Sequence, residues 1–159
     1  MSVIKDMNEV LKLRKDIKNH NKKLVFTNGC FDILHSGHVD YLNKAKKLGD
    51  YLLVGLNSDL SVHHIKGDKR PILNETERAF LLDNLKCVDY VTFFDEDTPE
   101  QLIINLIPDI LVKGADWPLD KIAGRDVIIA NGGEVKTIEF VNMQSTSQII
   151  KLIIDRYSS

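Results

Sequence analysis

The sequence predicts a doubly wound α/β domain built on a five-stranded parallel sheet. Three observations carry that expectation. Short apolar runs of strand length alternate with segments of helical periodicity; the first strand runs straight into a glycine and a helix start; and polar, glycine-bearing residues collect just after the strands. The chain has 159 residues, 43% of them apolar, and no linker-like stretch, which suits a single domain with one core.

Val3, Ile4, Met7, Val10, Leu11 and Ile17 recur at helical spacing and predict an amphipathic helix over 2–19, so residues 1–22 are read as a helix and connector and 23–159 as the domain proper. LVFT, 24–27, is the first strand, Asn28 and Gly29 a tight turn, and Val39, Tyr41, Leu42, Ala45 and Leu48 the following helix. YLLVGL, 51–56, closes a right-handed parallel βαβ unit. The polar stretch 57–73, broken by Gly67 and Pro71, is expected to be a long loop. Asn74 and Glu77 form a capping-box pattern for a helix to about residue 85, and VDYVTFF, 88–94, is the third strand. Thr98 as cap and Pro99 at the first helical position start a short helix, 109–114 is the fourth strand, and a short helix covers 125–131. The fifth strand is 134–140, and Ser145 caps a final helix.

A Rossmann-like strand order of 3-2-1-4-5 places the ligand crevice between strands one and four, beyond their carboxyl ends. Residues 29–38 then face Lys113 and Gly114, with the 57–73 stretch and Ser145 nearby. At the centre lies LVFTNGCFDILHSGH, 24–38: a strand, a glycine, and His35 and His38 flanking Gly37 at a helix start. A helix N-terminus behind a glycine presents N–H groups to a phosphate, and two imidazoles three residues apart share one side of the first turn. Ser145, Thr146 and Ser147 offer hydroxyls and free N–H groups at another helix start.

Composition narrows the function. Lys and Arg number 21 against 23 Asp and Glu, without a long single-sign run, so a nucleic-acid or membrane binder is not expected. Cys30 and Cys87 are too few for a disulfide framework, the N-terminus lacks a signal-peptide core, and no apolar run reaches the roughly 18 residues of a membrane span. The expectation is a cytoplasmic protein. Zinc would need three or four ligands, and His63 and His64 alone could join the central pair, so no metal site is expected. Cys30 has no base paired with it in sequence and is read as a small residue lining the phosphate turn.

Taken in order, GCFDILHSGH, NSD, KGDKRP, LVKGADW, IAG, NGGEV and STSQII resemble the HxGH nucleotidyltransferase superfamily over about 23–154, in particular its branch that makes ADP-activated heptose. The resemblance implies attack by a sugar phosphate on the α-phosphorus of ATP. A phosphate monoester with a second pKa near 6 is already a nucleophile, so no general base is required. It further implies His35, His38 and Lys66 as catalytic residues. Asn28, Gly29, Cys30, Phe31, Gly37, Arg70, Arg78, Lys113, Gly114, Asp116, Ser145, Thr146 and Ser147 are implied as nucleotide-binding. Asp32 is assigned to bracing the loop, Mg²⁺ is implied as carried by the triphosphate, and Trp117 is left open between stacking on a ligand and anchoring its loop. A homodimer, with the first or last helix as candidate interface, is implied as well. The chain departs from many relatives at Asn142-Met143-Gln144, where the cytidylyl branch has an arginine. Two alternatives stay open: a cytidylyltransferase on a phosphoalcohol such as glycerol 3-phosphate, and a nucleotide-binding module without turnover.

Overall fold

The computed structural model describes residues 2–141 and 144–158. Its centre is a parallel sheet of β1 (Val3–Ile4), β2 (Leu24–Gly29), β3 (Tyr51–Asn57), β4 (Tyr90–Phe94), β5 (Ile110–Gly114) and β6 (Glu134–Ile138), in the order β1-β4-β3-β2-β5-β6. The five expected strands therefore stand in the expected order. A sixth, β1, is added outside β4 with Val3 beside Val91 and Ile4 beside Thr92.

Seven helices complete the described fold: α1 (Met7–Asn19), α2 (Ser36–Lys46), α3 (Asp59–Lys66), α4 (Glu75–Asp83), α5 (Glu100–Leu106), α6 (Arg125–Ala130) and α7 (Thr146–Tyr157). Alternation along the strands decides which helix covers which face. Val25, Val54 and Val112 point to one side and pack with Leu42 and Ala45 of α2 and Leu82 of α4. Phe26, Leu53 and Leu111 point to the other and pack with Val10 of α1, Leu102 and Leu106 of α5, and Ile128 of α6. Both faces are covered, which is why the strands read as continuous apolar runs.

Several elements differ from the sequence expectation. The first helix begins at Met7, not at residue 2, because Asp6 caps it by accepting the Asn8 N–H at 2.8 Å; Val3 and Ile4 are released to the sheet. The stretch 57–73 contains α3, capped by Ser58 accepting from Ser61 N–H and seated by buried Ser61 and Val62. Gly29 ends β2 rather than forming a turn; the left-handed residue is Phe31, at φ 44°. Thr98 does not cap α5, since Pro99 holds that position without a side-chain cap bond. The final helix starts as expected, with Ser145 and Gln148 in a complete capping box.

Between its two neighbours β3 and β5, β2 marks the point where the chain reverses its winding. Beyond the carboxyl ends of these strands lies the crevice.

Candidate active site

A cavity of about 500 Å³ occupies that crevice. Its floor is the end of β2 and the turn after it, from Asn28 to Asp32, with His38 from the first turn of α2. One wall carries Lys113 and Asp116 from the end of β5, and another carries Lys66 and Arg70. Ser145, Thr146 and Ser147 close the far side at the start of α7. A smaller adjoining recess of about 170 Å³ shares Phe140 with it and adds Gly114 and Tyr41. Segments more than a hundred residues apart in sequence therefore meet around one space.

His35 is the N-cap of α2 and His38 stands in its first turn, with ring centroids 3.8 Å apart and planes 24° from parallel. His35, stacked on His38, is not itself among the cavity-lining residues, and Gly37, between them in sequence, is buried in α2. Phe31 presents its ring edge to His38 at 5.2 Å. Among the described residues neither Nδ1 has a hydrogen-bond partner, although both are buried. With no carboxylate behind either ring, nothing holds the pair in the manner of a triad base. Burial lowers the pKa of both imidazoles; for His38, with its neighbour His35 adding to the effect, it falls to about 4. Near neutral pH His38 is a neutral N–H donor.

That shift has a testable sign. The unfolded chain takes up a proton at His38 near pH 6.5 while the folded protein resists until about 4, so without nucleotide the protein loses stability as pH falls through this window. Thermal melting between pH 7 and 4.5 will show a falling midpoint, and His38→Gln will flatten the slope.

On β5, burial pulls the Lys113 ammonium down to about 8, against the opposing pull of Asp116 and Cys30. Its Nζ lies 5.2 Å above the Trp117 ring, and the half-exposed Trp117 lines the cavity beside it. Gly114 has no room for a side chain: a Cβ there would meet the Phe140 ring and come within 2.5 Å of Asp116 Oδ1. Burial raises the Cys30 thiol above its ordinary range, although Lys66, Arg78 and Arg70 pull it down, so Cys30 is not a ready thiolate nucleophile.

Asp32 is fully buried and ties down the 67–73 segment. Its carboxylate accepts from the N–H groups of Ile72 and Leu73 at 2.8 and 2.9 Å and from Arg70 Nε at 2.6 Å. Burial pushes its pKa up, yet the Leu73 and Ile72 N–H groups and Arg70 outweigh that and leave it below the ordinary carboxylate value. Arg70 thus reaches the cavity with Nε already engaged. Lys66, at the end of α3, is exposed and has no ion-pair partner among the described residues.

Arg78 requires a correction. The expectation that it binds nucleotide fails because the side chain has no exposure, does not line the cavity, and gives four of its five N–H donors to Leu73, Cys30, Asn57 and Asp59. Three other residues escaped the sequence reading. Thr98, freed from capping, lines the cavity near Asn57 at the ends of β4 and β3. Phe140, expected inside the fifth strand, lies beyond the end of β6 and stacks on Tyr41 at 5.2 Å. Lys121, in the 3₁₀ turn Leu119–Lys121, adds another cation to the wall. The strand-end rule could have flagged Thr98, whereas nothing in the local pattern marks Phe140 or Lys121. Asn142 and Met143, where the sequence departs from many relatives, lie outside the described residues.

The chain is similar to known proteins over most of its length. The bifunctional protein HldE of Citrifermentans bemidjiense is 57% identical over 139 residues, covering 87% of this chain and 28% of that protein. HldE of Pelobacter propionicus is 49% identical over 157 residues, covering 99% and 32%. The chain thus spans about a third of the length of the curated relatives it matches. Among solved structures, a lipopolysaccharide core biosynthesis protein from Thermoplasma volcanium is 34% identical at a TM-score of 0.62, with 77% of this chain and 99% of that one covered. A pantoate-beta-alanine ligase from Francisella tularensis, 13% identical at a TM-score of 0.61 over 92% and 69% of the two chains, shares the fold. The cytidylyltransferase-like family model matches residues 26–152, which run from β2 into α7 and take in every wall of the cavity. By that match, which covers well over half of its length, the chain belongs to the cytidylyltransferase-like family.

Proposed function

We propose that the chain is an adenylyltransferase that joins the AMP of ATP to a heptose 1-phosphate, yielding ADP-heptose and pyrophosphate for surface-glycan precursors. The observation that carries this reading is the stacked His35 and His38 pair with no carboxylate behind it, set among Lys66, Arg70, Lys113 and the N-terminus of α7. Such a site gives neither histidine, among the described residues, the partner that would make it a base, and it is rich in donors and positive charge. It suits a reaction whose nucleophile arrives ionised and whose difficulty is the charge that builds on phosphate oxygens.

In the reaction a sugar phosphate oxygen bonds to the α-phosphorus, the bond from that phosphorus to the bridging oxygen breaks, and pyrophosphate leaves with the electron pair. No proton has to be removed. His35 and His38 donate to the α-phosphate and the bridging oxygen; Lys66, Arg70 and Lys113 balance the remaining charge. Ser145, Thr146 and Ser147 meet the outer phosphates with hydroxyls and the free N–H groups of a helix start. Mg²⁺ comes as part of the ATP complex, held by the triphosphate rather than by a dedicated protein cage. The likeness to the HldE proteins and to the lipopolysaccharide core biosynthesis protein supports the sugar acceptor. Cytoplasmic location and a homodimer belong to the same reading; the outward apolar residues Ile153, Ile154 and Tyr157 of α7 support the dimer.

The test is pyrophosphate release from purified protein with Mg²⁺, each of the four nucleoside triphosphates, and a panel of sugar phosphates and phosphoalcohols. Release with ATP and heptose 1-phosphate is expected. Release confined to CTP and a phosphoalcohol, or none with any pair, overturns the reading.

A further inference from the structure

Arg78 poses a question of its own. A guanidinium with no exposed surface is costly unless its donors are satisfied, and an aliphatic side chain would fill the same space more cheaply. What an aliphatic chain cannot do is hold carbonyls. Arg78 Nη1 donates to Cys30 O at 2.7 Å and to Asn57 O at 2.9 Å, Nε donates to Leu73 O at 3.0 Å, and Nη2 pairs with Asp59 at 2.7 Å. One side chain thereby joins the turn after β2, the end of β3 and the entry to α4.

The bond to Cys30 has a geometric consequence. The carbonyl and N–H of a trans peptide point in opposite directions. With the Cys30 carbonyl turned inward to Arg78, the N–H of Phe31 turns outward, to the cavity that Cys30 and Phe31 both line. Among the described residues that N–H has no acceptor. Phe31 holds φ 44°, a left-handed conformation uncommon outside glycine, and its ring is wedged between Gly29, where a Cβ would lie 2.9 Å from Phe31 Cε2, and His38. Were the peptide reversed, the cavity would lose a donor and receive a carbonyl oxygen facing the phosphates.

We propose that Arg78 is a positioning residue: by holding the Cys30 carbonyl it aims the Phe31 N–H at the triphosphate, as a backbone donor beside the two histidines. The proposal rests on the nucleotidyl-transfer reading above, and its closing experiment separates the two. Amide ¹H–¹⁵N spectra of the wild type are recorded with and without a non-hydrolysable ATP analogue, alongside Arg78→Lys, which keeps the charge but not the fork of donors. In the wild type the Phe31 amide proton moves downfield on binding. In Arg78→Lys that response is lost, kcat falls by about 100-fold, the scale of one lost oxyanion donor, and the KM for ATP changes less than threefold. Far-ultraviolet circular dichroism shows whether the variant is folded, and even if it is not, an unmoved Phe31 amide in the wild type is enough to overturn the proposal. Analogue binding with an unmoved Phe31 amide overturns the proposal alone. A folded Arg78→Lys with wild-type kcat does the same. A wild type that binds no analogue overturns both this proposal and the reading beneath it.

Discussion

Replacing His38 with alanine is expected to lower turnover by about 100-fold or more while leaving ATP affinity within about tenfold, because the interaction lost belongs to the transition state. The alternatives to a donor role are excluded by different measurements. A general base would impose an acid limb on the rate near its own pKa and would tolerate no substitute lacking a basic nitrogen. His38 has a pKa near 4 in the free protein, so a base role would place that limb near pH 4, and at pH 6 to 8 it is the substitution that decides. His38→Gln, which keeps a neutral N–H, should recover part of what alanine loses. His35→Ala is expected to fall comparably, through loss of its own donor and of the ring stacked at 3.8 Å that fixes its neighbour. Steady-state kinetics with pyrophosphate release, paired with calorimetric titration of an ATP analogue, gives both quantities. Near wild-type turnover in either alanine variant would remove that histidine from the reaction.

Asp32→Ala is the second large effect, and it is felt in stability first. The substitution strands the N–H groups of Ile72 and Leu73 and leaves Arg70 without its carboxylate, all next to a side chain that has no exposure. Breaking a buried charge-assisted network of this kind costs about 3 kcal/mol. Asp32→Asn keeps the shape and one acceptor and should lose about half as much. Chemical denaturation reads the difference. The pH dependence has the opposite origin to that of His38: the Asp32 carboxyl is held below its ordinary value, so its stabilisation is present above about pH 4 and is lost as pH falls through the lower folded value. Catalysis should suffer too, since Asp32 fixes the segment carrying Arg70. A variant as stable as the wild type at pH 7 would show that this network contributes nothing.

The parts of the fold legible in sequence were those with a long repeating signal. Five apolar strands, the helices between them and the cap at Ser145 each declare themselves through period or capping chemistry. A two-residue strand such as β1 has no period to detect, and Val3 and Ile4 fit the helical spacing of Met7 and Val10 equally well. The helix α3 was hidden because only Ser61 and Val62 of its eight residues are buried, leaving a polar surface that reads as loop. In the site, the histidines, Lys113 and the serines were recoverable because each follows a strand or starts a helix. Arg78 was not. An arginine on a polar, charged helix turn looks the same whether it meets water or four protein acceptors, and only tertiary packing separates the two.

The short strand at the far edge bears on how the molecule behaves in a crowd. Tyr-Val-Thr-Phe-Phe of β4 has the composition of a segment that pairs readily with copies of itself, and without β1 it would present its open hydrogen-bonding side to solvent. The two residues of β1, with the Ser2 carbonyl accepting from Val91 N–H at 2.9 Å, occupy that side. At the opposite edge β6 carries Glu134 and Lys136, paired at 3.0 Å, whose charges discourage a further strand from joining. Deleting residues 2–4 should leave the crevice untouched and yet turn the protein toward aggregation, a liability that assays at low concentration would never reveal.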